Sequence, residues 1–242
     1  MGLNLTIDHG NTLVKLALRD ENGSLVRHTV APAIDARTLE EFIGDDTVDA
    51  AIHCSVSVRD DSVMPLIAGF ASRVIDLTPD TPTPLTIDYA KATLGVDRLA
   101  AAVGAHYMAR GDKRDILVID AGTAITYDVV SRDGHYVGGN IAPGISLRLK
   151  SLNDYTARLP LVKADGETAV SVFGSDTASA LLSGAIRGIV GEIEYYRQQL
   201  GEDALTIITG GSAPKLTPYV NGVIHEPHLV GIGLNRILRY NL

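Results

Sequence analysis

A short strand-like run, Leu5-Thr6-Ile7, stops on an acid, a glycine and two small polar residues, Asp8, Gly10, Asn11 and Thr12. An alternating stretch, the turn Glu21-Asn22-Gly23 and a second strand follow. Asn-Gly between alternating runs predicts a tight hairpin. The pattern returns later in the chain: "LTIDHGNTLVKLALRDENGSLV" is echoed by "LVIDAGTAITYDVVSRDGHYV", with Asp8 aligned to Asp120, Gly10 to Gly122, and Arg132-Asp133-Gly134 at the second turn. A unit that occurs twice, each time followed by helices, predicts an α/β protein of two similar domains, 1–112 and 113–242, whose strand ends meet at a central cleft.

The remaining pattern fits that division. "VDAAIHCSV" (48–56) and "SRVIDL" (72–77) read as strands joined by an amphipathic helix. "TPDTPTPL" (78–85) holds three prolines and reads as an extended linker. The Ala-rich stretch from Leu99 to Ala109 predicts a helix with Gly95-Val96-Asp97-Arg98 at its start. Four glycines and a proline lie between Gly134 and Gly144, where Gly138-Gly139 permits either a close backbone approach or a bulge, and a helix bearing Leu147, Leu149 and Leu152 follows. "GSDTASALLSGAIRGIVGEIEYYRQQL" is a long helix capped by Ser175 or Asp176, with Thr177 in its first turn. "LTIITGGSAPKL" (205–216) is a strand entering Gly210-Gly211 and a helix start.

Chemistry enters at the two strand tips. At Asp8 and Asp120 the chain leaves an apolar strand, and the glycine two residues on lets backbone N–H groups approach a phosphate closely. One Asp-x-Gly is an ordinary turn; two at equivalent places favour a ligand. Asp97 has two readings, an acid favoured by the helix dipole or a general base beside the cationic Arg98, and spacing does not choose between them.

Composition narrows the partners. The net charge of -8, from 21 Lys+Arg against 29 Asp+Glu, comes without a basic block, which argues against a nucleic-acid partner but not against ATP. Cys54 is the single cysteine and reads as a buried strand thiol. No secretory leader and no apolar run of membrane-spanning length is visible, so a cytoplasmic location is expected. The opening Met1-Gly2 matches a myristoylation pattern, but Gly2 abuts the first strand, where an exposed Gly2 is not expected. His225-Glu226-Pro227-His228 and the acidic "IGDDTVD" read as solvated loops.

Taken in order, Asp8-x-Gly10-Asn11-Thr12-x-x-Lys15, Gly95-x-Asp97-Arg98, Asp120-x-Gly122-Thr123-Ala124, Gly138-Gly139-x-Ile141-x-Pro143-Gly144, Thr177-x-x-Ala180-x-x-x-Gly184 and Thr209-Gly210-Gly211 resemble the type III pantothenate kinases. The resemblance implies the fold of acetate and sugar kinases, heat-shock chaperone ATPases and actin, two ribonuclease-H-like domains with ATP in the cleft. It implies phosphorylation of pantothenate by ATP, the first step toward coenzyme A, with Mg2+ and a monovalent cation, K+ or NH4+, in a homodimer.

By position, the resemblance makes Asp8, His9, Gly10, Asn11, Thr12, Leu13, Val14 and Lys15 the ATP phosphate loop, with Asp8 near Mg2+, Lys15 near the transferred phosphate and no separate role for the His9 side chain. Asp97 becomes the base within a Gly95, Val96, Asp97, Arg98 segment that holds pantothenate, contacted also by Tyr89 and Thr177. Asp120 would bind the monovalent cation and Thr123 would touch ATP. One departure is visible, since the family often has a proline between the tyrosine and Gly-x-Asp-Arg, whereas Tyr89 is followed by Ala90-Lys91-Ala92-Thr93. The resemblance leaves two other readings to weigh: a nucleotide-dependent transcriptional regulator on the same fold, and a kinase of the same superfamily acting on a sugar or acyl acid.

Overall fold

The computed structural model describes residues 2–56, 60–165, 169–201 and 203–242. It divides into two compact units, the first comprising Met1–Gly111, Gly134–Tyr136 and His228–Leu242, the second Asp112–Asp133 and Val137–Pro227. Met1 of the opening pattern lies outside the described residues, and Gly2 directly precedes the first strand.

The first unit is built from β1 (Leu3–His9), β2 (Val14–Arg19), β3 (Leu25–Ala31), α1 (Ala36–Ile43), β4 (Val48–Ser55), α2 (Val63–Ala68) and β5 (Ala71–Asp76). The sheet order is β3-β2-β1-β4-β5, antiparallel through the hairpins and parallel across β1, β4 and β5. Leu5, Ile7, Val14, Leu16 and Leu18 pack with Leu39, Phe42 and Ile43 of α1 and Val63 and Ile67 of α2 in one buried cluster. Because strand side chains alternate between faces, Thr6 and Asp8 project away from that cluster. The helix expected between the strands at 48–56 and 72–77 is short, six residues of α2. In the acidic segment after α1, Asp45 and Asp46 are exposed while Ile43 and Val48 anchor it in the core.

The proline-rich stretch delivers more than a linker. It ends in buried Leu85 and β6 (Thr86–Ile87), which pairs in parallel with His135 and Tyr136. A short 3-10 turn, Lys91–Thr93, leads into α3 (Val96–Met108).

The second unit repeats the first. Its elements are β7 (Ile116–Ala121), β8 (Ala124–Val130), β9 (His135–Pro143), α4 (Ile145–Asp154), α5 (Thr177–Leu200), β10 (Leu205–Thr209), α6 (Ala213–Leu216) and β11 (Val223–His225). This sheet has six strands in the order β6-β9-β8-β7-β10-β11; its five strands from β9 to β11 follow the order of the first sheet, each strand replaced by its counterpart, and β6 is added at the β9 edge. Asp176 caps α5, accepting the Ser179 N–H at 3.0 Å while the Ser179 hydroxyl accepts the Asp176 N–H. On α4 only Ile145 and Leu149 are buried, and Leu147 and Leu152 stay on the surface.

The final helix, α7 (Leu229–Tyr240), was not anticipated from the sequence and returns to the first unit. It packs on α3 through glycine. A Cβ at Gly233 would overlap the Ala100 carbonyl oxygen, and one at Gly104 would overlap the Leu229 carbonyl oxygen. Ala instead of Gly improves helix propensity by about 1 kcal/mol, but backbone overlap in a close-packed contact costs about 1–3 kcal/mol or more. We expect Gly233→Ala to lower unfolding free energy by about 2 kcal/mol in urea titration. An unchanged or raised midpoint would show that the helices can separate at no cost.

Candidate active site

The β1–β2 turn closes with the Gly10 N–H donating to the Leu13 carbonyl at 3.1 Å. That register sets Asp8 opposite Lys15, and their side chains meet, Nζ to Oδ2, at 3.3 Å. Asp8 is mostly buried at 14% side-chain exposure and Lys15 is half exposed at 52%, so the ammonium faces outward from the tip. Asn11, Thr12 and Leu13 are exposed on the turn and Val14 is buried beneath it.

On the same face as Asp8 stands the start of α3. Gly95 is its N-cap and Asp97 lies in its first turn, with Oδ1 accepting the Arg98 N–H at 2.8 Å. A Cβ at Gly95 would lie 2.7 Å from Asp97 Oδ1, so glycine leaves room for the carboxylate to turn back. Two influences compete on Asp97. Backbone N–H donation favours its anion, but burial and the negative charge of Asp8 oppose it, and burial dominates, so the Asp97 pKa is raised. Arg98 is buried and its guanidinium lies over the Tyr89 ring at 5.5 Å, while Tyr89 meets Tyr136 edge-on at 5.9 Å.

Beside this pair, Cys54 is the β4 neighbour of Asp8. Burial first, then the charges of Asp8, Asp97 and Asp76, push its thiol pKa well up, which keeps the proton on sulfur and makes it a poor nucleophile. Burial and the neighbouring His53 lower the His9 pKa, against the opposite pull of Asp8 and Asp60. Its imidazole is therefore predominantly neutral near pH 7.

The second unit holds the other strand tip. Asp120 pairs in register with Thr126 on β8 and Thr209 on β10. Gly210, at φ +92, presses on this turn, where a Cβ would lie 2.6 Å from the Ala121 carbonyl. The Ser212 N–H donates to Ala121 O at 2.9 Å, and the Gly144 N–H donates to Thr123 O at 2.9 Å. Thr123 is exposed on a turn clamped from two sides. Thr177 is exposed at the first position of α5.

A brace behind this turn escaped the sequence reading. Arg148 Nε donates to Pro143 O at 2.7 Å, and its Nη2 donates to both Glu192 oxygens at 2.6 Å. The Tyr127 hydroxyl donates to the same carboxylate at 2.7 Å. Burial and Glu192 together hold the Tyr127 proton in place. Arg148, Glu192 and Tyr127 lie on different elements, and no local spacing links them.

The structure therefore brings Asp8, Lys15, Asp97 and Arg98 to one region of the first unit and groups Asp120, Gly122, Thr123, Gly144 and Gly210 in the second. Among the described residues no helix is long and apolar enough to cross a membrane.

Comparison with known proteins bears on what this arrangement is. Residues 4–199 match the family model described as type III pantothenate kinase. A type III pantothenate kinase of Porphyromonas gingivalis is 40% identical over 248 residues, covering all of both chains, and one of Phocaeicola vulgatus is 38% identical over 99% of each. Among solved structures, a Campylobacter jejuni protein described as a Baf family transcriptional activator has a TM-score of 0.66 at 23% identity, covering 98% of each chain. A Clostridium difficile activator of 2-hydroxyisocaproyl-CoA dehydratase, solved with bound ADPNP, has a TM-score of 0.56 at 12% identity, covering 99% of this chain and 95% of its own. The structural likenesses show the fold of actin-like ATPases and sugar kinases. Full-length identity near 40% goes further, and the chain belongs to the type III pantothenate kinase family.

Proposed function

We propose that the chain transfers the γ-phosphoryl group of ATP to the terminal hydroxyl of pantothenate, with Asp97 as the general base. The observation that carries the assignment of the base is the placement of Asp97, a half-buried carboxylate in the first turn of α3 within electrostatic reach of Asp8 at the phosphate-loop tip, with its pKa raised by burial. Phosphoryl transfer needs charge neutralisation and alignment more than covalent chemistry. Lys15 supplies a cation at the tip, the Gly10 turn supplies backbone donors, and Asp97 accepts the hydroxyl proton as the oxygen attacks phosphorus. Arg98, stacked on Tyr89, supplies a fixed cation for the substrate's carboxylate.

The residues present fit the expected ions. Mg2+ is usually held by one or two carboxylates and the substrate's own phosphates. Asp8 would hold it, and when bound it neutralises charge on the phosphates. For K+ or NH4+, Asp120 would give the carboxylate, with Thr126 and Thr209 as its register partners. Thr123 and Thr177 are assigned to ATP and pantothenate. A homodimer is supported by large apolar side chains on the surface of the second unit, among them Phe173 at 87% exposure and Ile141 at 63%. The net charge of -8 and the presence of Asp8, Lys15, Asp97 and Asp120 speak against a regulator that has lost catalysis.

Two experiments test the reading. ADP release from Mg-ATP should depend on pantothenate and fall when K+ and NH4+ are both omitted; release indifferent to pantothenate would sink the substrate assignment. Asp97→Asn should bind ATP and pantothenate with near-normal affinity by calorimetry while kcat drops about 10^2 to 10^4-fold. For the native enzyme the acid limb of kcat should lie above the ordinary aspartate range near pH 3.9, because the base must be ionised and its proton affinity is raised. Near-normal turnover in Asp97→Asn would remove Asp97 from the mechanism.

A further inference from the structure

The β1–β2 ladder places Asp8 and Lys15 at one end and Asn4 and Arg19 at the other. Four residues of strand separate the two ends, about 13 Å. At the far end, a small hollow of about 20 Å³ is lined by Gly23, Tyr107, Ile232, Asn235, Arg236 and Arg239. We propose that this hollow is an anion site that takes a phosphate group, either inorganic phosphate or the terminal phosphate of a phosphorylated metabolite.

The polar lining is built of donors. Asn235 is 5% exposed, and its Oδ1 already accepts from Asn4 Nδ2 at 3.0 Å. Its Nδ2 has no hydrogen-bond acceptor among the described residues and points at Gly23, where a Cβ would lie only 3.0 Å away. The Gly23 carbonyl is itself occupied by Arg19 Nη1 at 3.0 Å. This amide donor opens onto a space lined by guanidinium groups, where an entering acceptor can reach it. The hollow has room for about one oxygen atom or water.

The charge around it is positive. Arg110 and Arg236 hold their guanidinium groups 4.5 and 5.4 Å from the centre of the Tyr107 ring. Among the described residues neither they nor Arg239 forms an ion pair with a carboxylate. Arg19 also lies at this end, its Nη1 donating to the Gly23 carbonyl at 3.0 Å. Opposing these arginines are the C-termini of α3 and α7, about half a charge each, and the turn acids Asp20 and Glu21. Asp20 is engaged by the N–H groups of Asn22 and Ser24 at 2.9 and 2.8 Å. His106, beside the cluster, has its pKa lowered by burial and then by Arg236, in keeping with a positive local field.

A tetrahedral dianion suits this arrangement better than a carboxylate. One oxygen enters the hollow toward Asn235, and the others remain for the separate forks of Arg236 and the exposed Arg239.

Calorimetric titration of the full chain with orthophosphate, pyrophosphate and phenyl phosphate, without Mg2+ and at low salt, tests the proposal. Saturable binding of one phosphate group per chain should persist in Lys15→Ala, which alters the nucleotide loop, and weaken at least tenfold in Arg236→Gln/Arg239→Gln. That double variant should keep its pantothenate-dependent turnover at saturating substrate, showing that it is folded. Phenyl phosphate binding as well as orthophosphate would identify a terminal phosphate as the occupant; binding of the inorganic anions alone would identify free phosphate. The proposal fails if the native chain does not bind, if the double variant binds equally well, or if Lys15→Ala abolishes the signal.

Discussion

The contact on which the first unit depends is the one made without side chains, between the backbones of α3 and α7 at Gly104 and Gly233. It lets α7 lie low enough on the sheet for Gly231 to approach Thr6 and Arg19, and it seats α3 so that everything from Leu99 to Ala105 is buried. The catalytic proposal hangs from that seating. Asp97 is in the first turn of α3, two residues before this buried stretch, so the depth of α3 sets how much water the carboxylate keeps. Burial is the largest influence on its proton affinity. A looser helix pair would leave an ordinary surface aspartate near pKa 3.9.

Much of the fold was legible because it repeats. The echo of 5–26 in 117–137 became two sheets that share a five-strand order, the second extended by β6, and both Asp-x-Gly turns fell at strand tips. Local rules were enough there. Alternation fixes a register, a register fixes cross-strand neighbours, and Asp8 opposite Lys15 follows from a four-residue turn closed by Gly10 and Leu13. The start of α3 and the cap of α5 were likewise local, since a glycine before an Ala-rich run and an Asp before a helical run carry their own signals.

What was not legible is non-local. Residues Val230, Leu234, Ile237 and Leu238 follow helical spacing and are all buried, yet Gly231 and Gly233 weaken the helix signal. Their value appears only when α3, more than a hundred residues earlier, is beside them. The Arg148 fork on Glu192 and the Tyr127 hydroxyl bring together residues 44 and 65 positions apart. A charged residue on α4 and another on α5 read as solvated faces until the carbonyl of Pro143 is placed between strand and helix. The same limit hid β6, a two-residue strand whose partner lies about fifty residues on.

The adjacency of Asp97 and Arg98 shows why proximity in sequence can mislead about charge. Read as a pair, the arginine would hold the aspartate ionised and lower its pKa, which would make it a weaker base. The structure separates the two roles. The Arg98 guanidinium is carried to the Tyr89 ring, and its electrostatic pull is the least of the influences on Asp97. What the carboxylate takes from Arg98 is its backbone N–H, a contact that fixes orientation at 2.8 Å. Lys15 meanwhile is matched to Asp8, and burial outweighs the pull of Arg98 on Asp97. Each pKa unit of rise corresponds to about 1.4 kcal/mol of added proton affinity, the gain that the proposed mechanism draws on when the hydroxyl loses its proton. The cations and the carboxylate proposed as the base are thus kept apart by the turn of one helix, and the absence of a Cβ at Gly95 leaves the carboxylate the room to turn back.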